Sequence, residues 1–382
     1  MNLNWKNFLL SEQADFETAA QISFPAVAEP HHHCIYPLAH LAVLTIGGKD
    51  AATFLQGQIT CNIDDLNETK SSLGALCNPK GRAIATFLLI KTGSVFLMIL
   101  PDELLQTVKK RLSLYILRSD VVLTDSSDTL CLIGLTTIGT SADNCRDAGG
   151  IPSGAQGATP PLKGGLGTGA VVDDCRDAGG IPSGAQGATQ GAVAEALFST
   201  SQQDIISVNL GNRRLIAAMP EQAAAFWTEQ TRHGYRPANS AHWRYLDIIS
   251  GLPWLTTATS EAFIPQMLNL DKLGGISFNK GCYTGQEIIA RTHYLGKAKR
   301  MMFLAECNTQ EIPAPNTVII DDSAPSGADT EAEQTAGRVL LAEHWGVSCK
   351  MLIVIPIPDA GTDRLSLADH NKLTLLPLNT AL

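Results

Sequence analysis

The 382-residue sequence contains no CxxC pair, although it has nine cysteines. Their wide spacing and odd number argue against a disulfide framework or a preformed zinc site. No run approaches ~20 uncharged apolar residues, and the opening MNLNWKNFLLSEQADF has no basic region leading into an apolar stretch. A cytoplasmic protein without a membrane anchor is therefore expected. An excess of basic charge is also missing: 28 Lys and Arg stand against 37 Asp and Glu, a net charge of -9. That balance argues against tight, sequence-independent nucleic-acid binding, which needs a basic face to displace phosphate counterions. The densest local exception is Lys297, Lys299 and Arg300, with Arg291 and His293 nearby. Such a cluster reads as a solvated surface, so a direct RNA contact is not expected.

What is present is enough apolar material for a large core, at 45% hydrophobic and 17% charged residues, in a chain too long for one ordinary domain. The chemistry concentrates in residues 274–291, GGISFNKGCYTGQEIIAR. Gly274, Gly275, Gly281 and Gly285 give the backbone freedom to present a side chain. Thr284 and Glu287 stand at capping-box spacing, which predicts a helix starting at Thr284 and running through Arg291. Cys282 would then precede a helix N-terminus, two residues from Lys280, and both features favour a thiolate that could act as nucleophile, redox thiol or cluster ligand. The residues alone leave a second reading open, in which Cys282 is a small buried hydrophobe and Glu287 merely caps its helix.

Elsewhere, His31, His32 and His33 before Cys34 have no further ligand at metal spacing, and residues 1–36 read as a flexible N-terminal segment, with the ordered fold beginning near Pro37. Strands are expected at 40–46, 73–78, 82–90, 94–100, 121–124 and 129–135, with helices at 51–56 and 102–115. This is an antiparallel α+β pattern rather than a doubly wound sheet. CRDAGGIPSGAQGAT occurs at Cys145 and again at Cys175, inside a Gly/Ala/Ser-rich stretch, 140–192, that reads as a flexible surface insert. After it come strands at 205–210 and 213–219 joined by Gly211-Asn212, helices at 221–233 and 240–250, and five further strands from 301 to 376 that read as a small β-barrel.

KGCYTGQEIIAR (280–291) resembles the signature of the YgfZ family, folate-binding, tRNA-modifying relatives of the glycine-cleavage T-protein that support iron-sulfur enzymes. FLQGQIT (54–60), CNPKGR (77–82), FIPQMLNLDKLGGISFNKGCYTGQE (263–287) and GRVLLA (337–342) follow in that family's order and cover nearly all of the chain outside the insert. The resemblance implies a T-protein-like fold: core halves at 37–139 and 193–299 around the insert, then a β-barrel over 300–382. It also implies a tetrahydrofolate or derivative as ligand, held by Trp243, His40, Arg82, Tyr283, Gln286, Glu287, Arg291 and Arg300, with Cys282 and Lys280 as the chemically active pair. His40 stands where the family carries a tryptophan, and Asp247 and Ile249 depart from the usual residues before Gly251. The T-protein uses an aspartate on the strand after its first glycine turn, whereas Gly81–Phe87 contains no carboxylate, so aminomethyl transfer is not expected. Two functions remain. One is a folate-dependent accessory protein acting through Cys282 in iron-sulfur assembly or repair, with assembly proteins or client iron-sulfur enzymes as indirect partners and tRNA modification as a downstream effect. The other is a folate-dependent one-carbon transferase of unknown acceptor.

Overall fold

A computed structural model describes residues 1–25, 33–136, 196–296, 298–322, 335–346, 348–357 and 364–378. Residues 1–139 and 195–382 form one compact unit. The repeated insert at 140–192, Cys145 and Cys175 within it, His31, His32 and Lys297 lie outside the described residues. Six helices are described: α1 (Leu3–Ser11), α2 (Ala51–Gln56), α3 (Asp102–Ser113), α4 (Pro220–Arg232), α5 (Ser240–Ile249) and α6 (Gln286–Tyr294). None is long and apolar enough to cross a membrane.

The class is α+β, built on three larger sheets that are antiparallel apart from one short parallel pair, Arg236–Pro237 beside Cys34–Pro37. In the first, Ser72–Cys77, Ala83–Thr92, Val95–Pro101, Leu41–Gly47 and Val122–Asp125 lie in that spatial order. The run AIATFLLI at 83–90 is buried on both faces, which is why it reads as continuous apolar sequence instead of an alternation. Helix α3 packs on this sheet through Leu104, Leu105, Val108 and Leu112, and its Asp102 and Glu103 at one end and Lys110 and Arg111 at the other complement the helix dipole.

The second sheet is ordered Thr200–Gln202, Ile206–Asn209, Arg213–Ala218, Cys131–Thr136, Cys34–Pro37 and Arg236–Pro237, so the strand before the insert pairs with the third strand after it, Arg213 opposite Thr136. Gly211, at φ +78°, makes the hairpin turn expected there. The third sheet, spanning Arg300–Cys307 to Thr374–Leu376, curls round: Leu373 N donates to Leu365 O at 2.9 Å, just before Thr374–Leu376 pairs with Leu304–Glu306. Where a small barrel was expected, the strands form a curled half-barrel sheet whose end strands Leu365–Leu367 and Thr374–Leu376 meet through a single bridge, Ser366 to Lys372.

The N-terminal segment departs from expectation. Instead of a flexible lead to Pro37, α1 is capped by the Asn2 side chain, which accepts from Asn4 N at 2.8 Å and Trp5 N at 3.2 Å. Trp5 and Leu9, one helical turn apart, are buried against α4, with Trp5 edge-on to Trp227 at 5.7 Å. Cys34–Pro37 is an inner strand with all four residues buried. The helix was hidden because its apolar face is narrow and only tertiary contact with α4 defines it.

Candidate functional site

Three segments far apart in sequence meet at the motif loop. At residues 78–82 the Asn78 carboxamide accepts from Lys80 N at 2.9 Å and Arg82 N at 3.1 Å, closing a tight turn with Gly81 at φ +69°. Gly285, at φ +83°, lies directly against that turn: a Cβ on Gly285 would stand 2.5 Å from Asn78 O and 2.9 Å from Gly81 Cα. A Cβ on Gly81 would meet Ile288 of α6 at 2.9 Å. Both glycines are therefore required by close approach and by left-handed backbone.

The FLQGQIT segment grips the other side of the loop. Thr60 Oγ1 donates to Gly275 O at 2.6 Å and accepts from Ala75 N at 2.9 Å, while Thr60 O accepts from Ser277 N at 2.9 Å. Lys280 Nζ donates to Ile59 O at 2.8 Å and Cys61 O at 2.7 Å and lies 5.2 Å from the centre of the Tyr283 ring. Burial pulls the Lys280 amine down to about 8, against the opposing pull of Cys61 and Asp64. Tyr283 points into the core with its hydroxyl buried and without a hydrogen-bond partner, and burial raises its pKa. Gln266 Nε2 donates to Ile289 O at 2.6 Å, and Asn269 Nδ2 to Met302 O at 2.9 Å, tying α6 and the half-barrel to the same loop.

Helix α6 starts later than the capping-box spacing predicted. Gly285 occupies the N-cap position in left-handed conformation with no side-chain cap, and Gln286 is the first helical residue. Thr284 belongs to the loop because the Gly81–Gly285 contact fixes the entry angle. Cys282 is exposed. The Lys280 amine, expected to support a Cys282 thiolate, is instead engaged by the Ile59 and Cys61 carbonyls. Lys280 therefore positions the loop.

Trp243 is not an open stacking platform. It is 1% exposed, with the Tyr36 ring at 5.4 Å, the Arg213 guanidinium carbon 4.7 Å from its ring centre, and no room for even a methyl group on Gly134 behind it. Around it runs a buried polar network: Arg213 donates to Asp247 at 2.7 Å and Ser250 at 3.0 Å, and Trp254 Nε1 donates to Asp247 at 2.9 Å. Asp247, a departure from the family pattern, thus has a structural partner in Arg213. His40 has both ring nitrogens buried without partners, and burial followed by the Arg244 charge lowers it to about 3. Arg82 donates to the carbonyls of Glu261 and Ala262 from an exposed position. Glu287 and Arg291 are exposed on α6, Gln286 and Arg300 are half-buried, and among the described residues neither Arg291 nor Arg300 has an ion-pair partner.

The loop therefore brings together Cys282, Lys280, Tyr283 and Arg82 with α6, while His40 and Trp243 belong to the packed interior. Thr60, Asn78 and Gln266 do as much to build the site, although none was assigned a role from sequence. Their signal was present as polar residues inside the motif segments: Thr60 and Gln266 serve backbone carbonyls on another segment, and Asn78 closes the turn of its own. At the far end of α6, Phe278 stacks on His293 at 3.8 Å, and Tyr294 and Leu295 are 64% and 82% exposed. Among the described residues no group of three or more His, Cys, Asp or Glu could hold a metal ion.

No protein-family model matches the chain. The tRNA-modifying protein YgfZ of Vibrio atlanticus is 30% identical over 344 residues, 88% of this chain and 89% of that protein. Its counterparts from Colwellia psychrerythraea and Escherichia coli are 28% and 27% identical and cover 76% and 83% of the chain and 76% and 80% of their own lengths. Among solved structures, the glycine cleavage system aminomethyltransferase T from Bartonella henselae superposes with a TM-score of 0.66 over 100% of this chain and 98% of that one, at 13% identity. That likeness establishes a T-protein fold.

Proposed function

The chain belongs to the YgfZ family, and we propose that it serves tRNA modification as a folate-binding accessory protein in iron-sulfur cluster assembly or repair, acting through Cys282. The observation that carries this reading is the contrast within the motif loop. Lys280, Thr60, Asn78 and both close-packed glycines are committed to internal contacts, whereas Cys282 alone among the loop's nucleophilic groups is exposed. A rigid loop presenting a thiol suits transfer of sulfur or handling of a cluster by a partner, with the cluster as cargo.

Several residues around the loop suit a folate. Arg82, beside Gly81, and Arg291, one turn along α6 from the Ile288 that Gly81 touches, offer exposed cations for an acidic glutamyl tail. The unpartnered Tyr283 hydroxyl and Gln266 Oε1 are buried polar groups of the kind a heterocycle satisfies. Trp243 does not fit, because its faces are already covered. The folate fit thus rests on Arg82, Arg291, Tyr283 and Gln266. When bound, a reduced folate supplies one-carbon chemistry; the chain's own part is to hold its tail and to keep the loop closed over the pterin side.

Aminomethyl transfer, the activity in the name of the structural relative, is disfavoured at the strand after Gly81. That strand carries Thr86, whose hydroxyl donates to Pro253 O at 2.6 Å, and no carboxylate. The test pairs complementation of a strain lacking the protein, read as iron-sulfur enzyme activity and thiolated tRNA, with anaerobic tetrahydrofolate titration. Cys282→Ser should fold, bind folate and fail to complement. Full rescue by that variant would overturn the role of the thiol, and absence of saturable folate binding by the wild type would overturn the ligand.

A further inference from the structure

The C-terminal half-barrel holds a second cysteine site, unrelated to the motif loop. Cys307 ends the strand Arg300–Cys307, and Cys349 lies near the start of Ser348–Pro356; the two are direct partners across the antiparallel ladder. Directly paired residues share one face of a sheet with Cβ atoms about 4.5–5.5 Å apart, so a local inward shift at the end of the ladder brings them to the roughly 3.5–4.5 Å that a disulfide spans. Both side chains are buried in the half-barrel core, 4% and 0% exposed. On the same rung, opposite Cys349, stands His344, whose Nε2 is buried without a partner.

We propose that Cys307 and Cys349, facing each other on the last shared rung of the half-barrel ladder, are a reversible oxidation site that takes a small hydroperoxide as oxidant. Interaction between the paired thiols favours Cys307 as the thiolate, lowering it while Cys349 is raised, which makes Cys307 the attacking sulfur. Its electron pair attacks one peroxide oxygen, the O–O bond breaks, and the products are a Cys307 sulfenic acid and one water. Cys349 sulfur then displaces the hydroxyl, its proton leaving with it as the second water. Two thiols give up two electrons and two protons, and the peroxide takes both. The rung lies at the end of the ladder, one residue pair from the Trp345–Ser348 hairpin tip, where opening costs least and a small oxidant gains entry.

The proposal predicts a disulfide closing a roughly 40-residue loop, which raises the guanidinium midpoint on the order of 1 M. The full chain is reduced, desalted, exposed to hydrogen peroxide, alkylated under denaturing conditions and digested without reductant. The expected result is one linked peptide pair carrying Cys307 and Cys349, lost on dithiothreitol treatment together with the midpoint gain. Cys307→Ala and Cys349→Ala should each abolish both signals, but the wild type alone decides the matter. Recovery of Cys307 and Cys349 as separately alkylated peptides while Cys282 is oxidised would overturn the proposal, as would a dominant link of either residue to any other cysteine.

Discussion

Replacing Lys280 with methionine tests whether this lysine builds the site or reacts in it. Methionine keeps the apolar stem but removes the donor to Ile59 O and Cys61 O, carbonyls of residues 0% and 1% exposed. An abandoned buried carbonyl costs about 1–3 kcal/mol, and relief from burying an amine offsets part of that, so a net destabilisation of about 2–4 kcal/mol is expected near neutrality. The pH dependence gives a sharper check. Burial lowers the folded-state value to about 8 from the ordinary 10.5, so between those values the unfolded chain holds more protons than the native one. Wild-type stability therefore gains a contribution as pH rises from 8 towards 10.5, at up to about 1.4 kcal/mol per pH unit, and loses it as pH falls through 8. A neutral amine still has two N–H groups for the two carbonyls. Urea unfolding of both proteins by tryptophan fluorescence, below pH 8 and again between 8 and 10.5, should show the gap widening on the alkaline side. A gap below about 1 kcal/mol that does not move with pH would refute the assignment of Lys280 as a buried positioning residue.

Gly285→Ala should destabilise the fold by about 2–4 kcal/mol, since its Cβ would meet Asn78 O at 2.5 Å from a backbone at φ +83°. Gly281→Ala, four residues earlier with nothing within 4 Å, is the control and should stay within about 0.5 kcal/mol in the same thermal melts. Trp243→Ala should cost about 3–5 kcal/mol as a core cavity, with weakened folate binding only to the extent that the protein unfolds; a selective loss of titration at full stability would return Trp243 to the ligand site. Arg244→Ala removes the partner of Glu343, 2.8 Å away and 5% exposed, and should cost about 3 kcal/mol in urea unfolding, most of it recovered when Glu343→Gln is added.

The fold was legible wherever local pattern and tertiary role coincide. Helices α2 and α3, the hairpin at Gly211 and the C-terminal strands follow from period and turn chemistry within a few residues of each position. Helix α1 was not legible, because LNWKNFLLS buries only Trp5 and Leu9 and its partner, α4, is some 200 residues away in sequence. The α6 boundary failed for a related reason. Thr284 and Glu287 have the local spacing of a capping box, but the contact of Gly285 with Gly81 is nonlocal and takes precedence. The cysteines show the same limit: sequence spacing separates Cys307 from Cys349, and only the ladder register makes them neighbours.

The site residues divide along the same line, and this changes what the long motif signifies. A chemically rich stretch such as FNKGCYTGQE invites a catalytic reading of each polar residue in it. In the structure a few contacts hold the loop to remote segments: Lys280 on two carbonyls, Gly285 against Gly81, and Gln266 and Thr60 from outside the stretch on the carbonyls of Ile289 and Gly275. Nonlocal packing fixes part of such a motif, and its length is no measure of how many residues react. Once those positions are accounted for, Cys282 is the loop's one nucleophilic group left exposed, and Arg82 and Arg291 are the cations beside it that face solvent. Loss of Cys282 should therefore leave the loop standing and remove the chemistry, whereas loss of Lys280, Gly285 or Thr60 should loosen the loop with the thiol still in place.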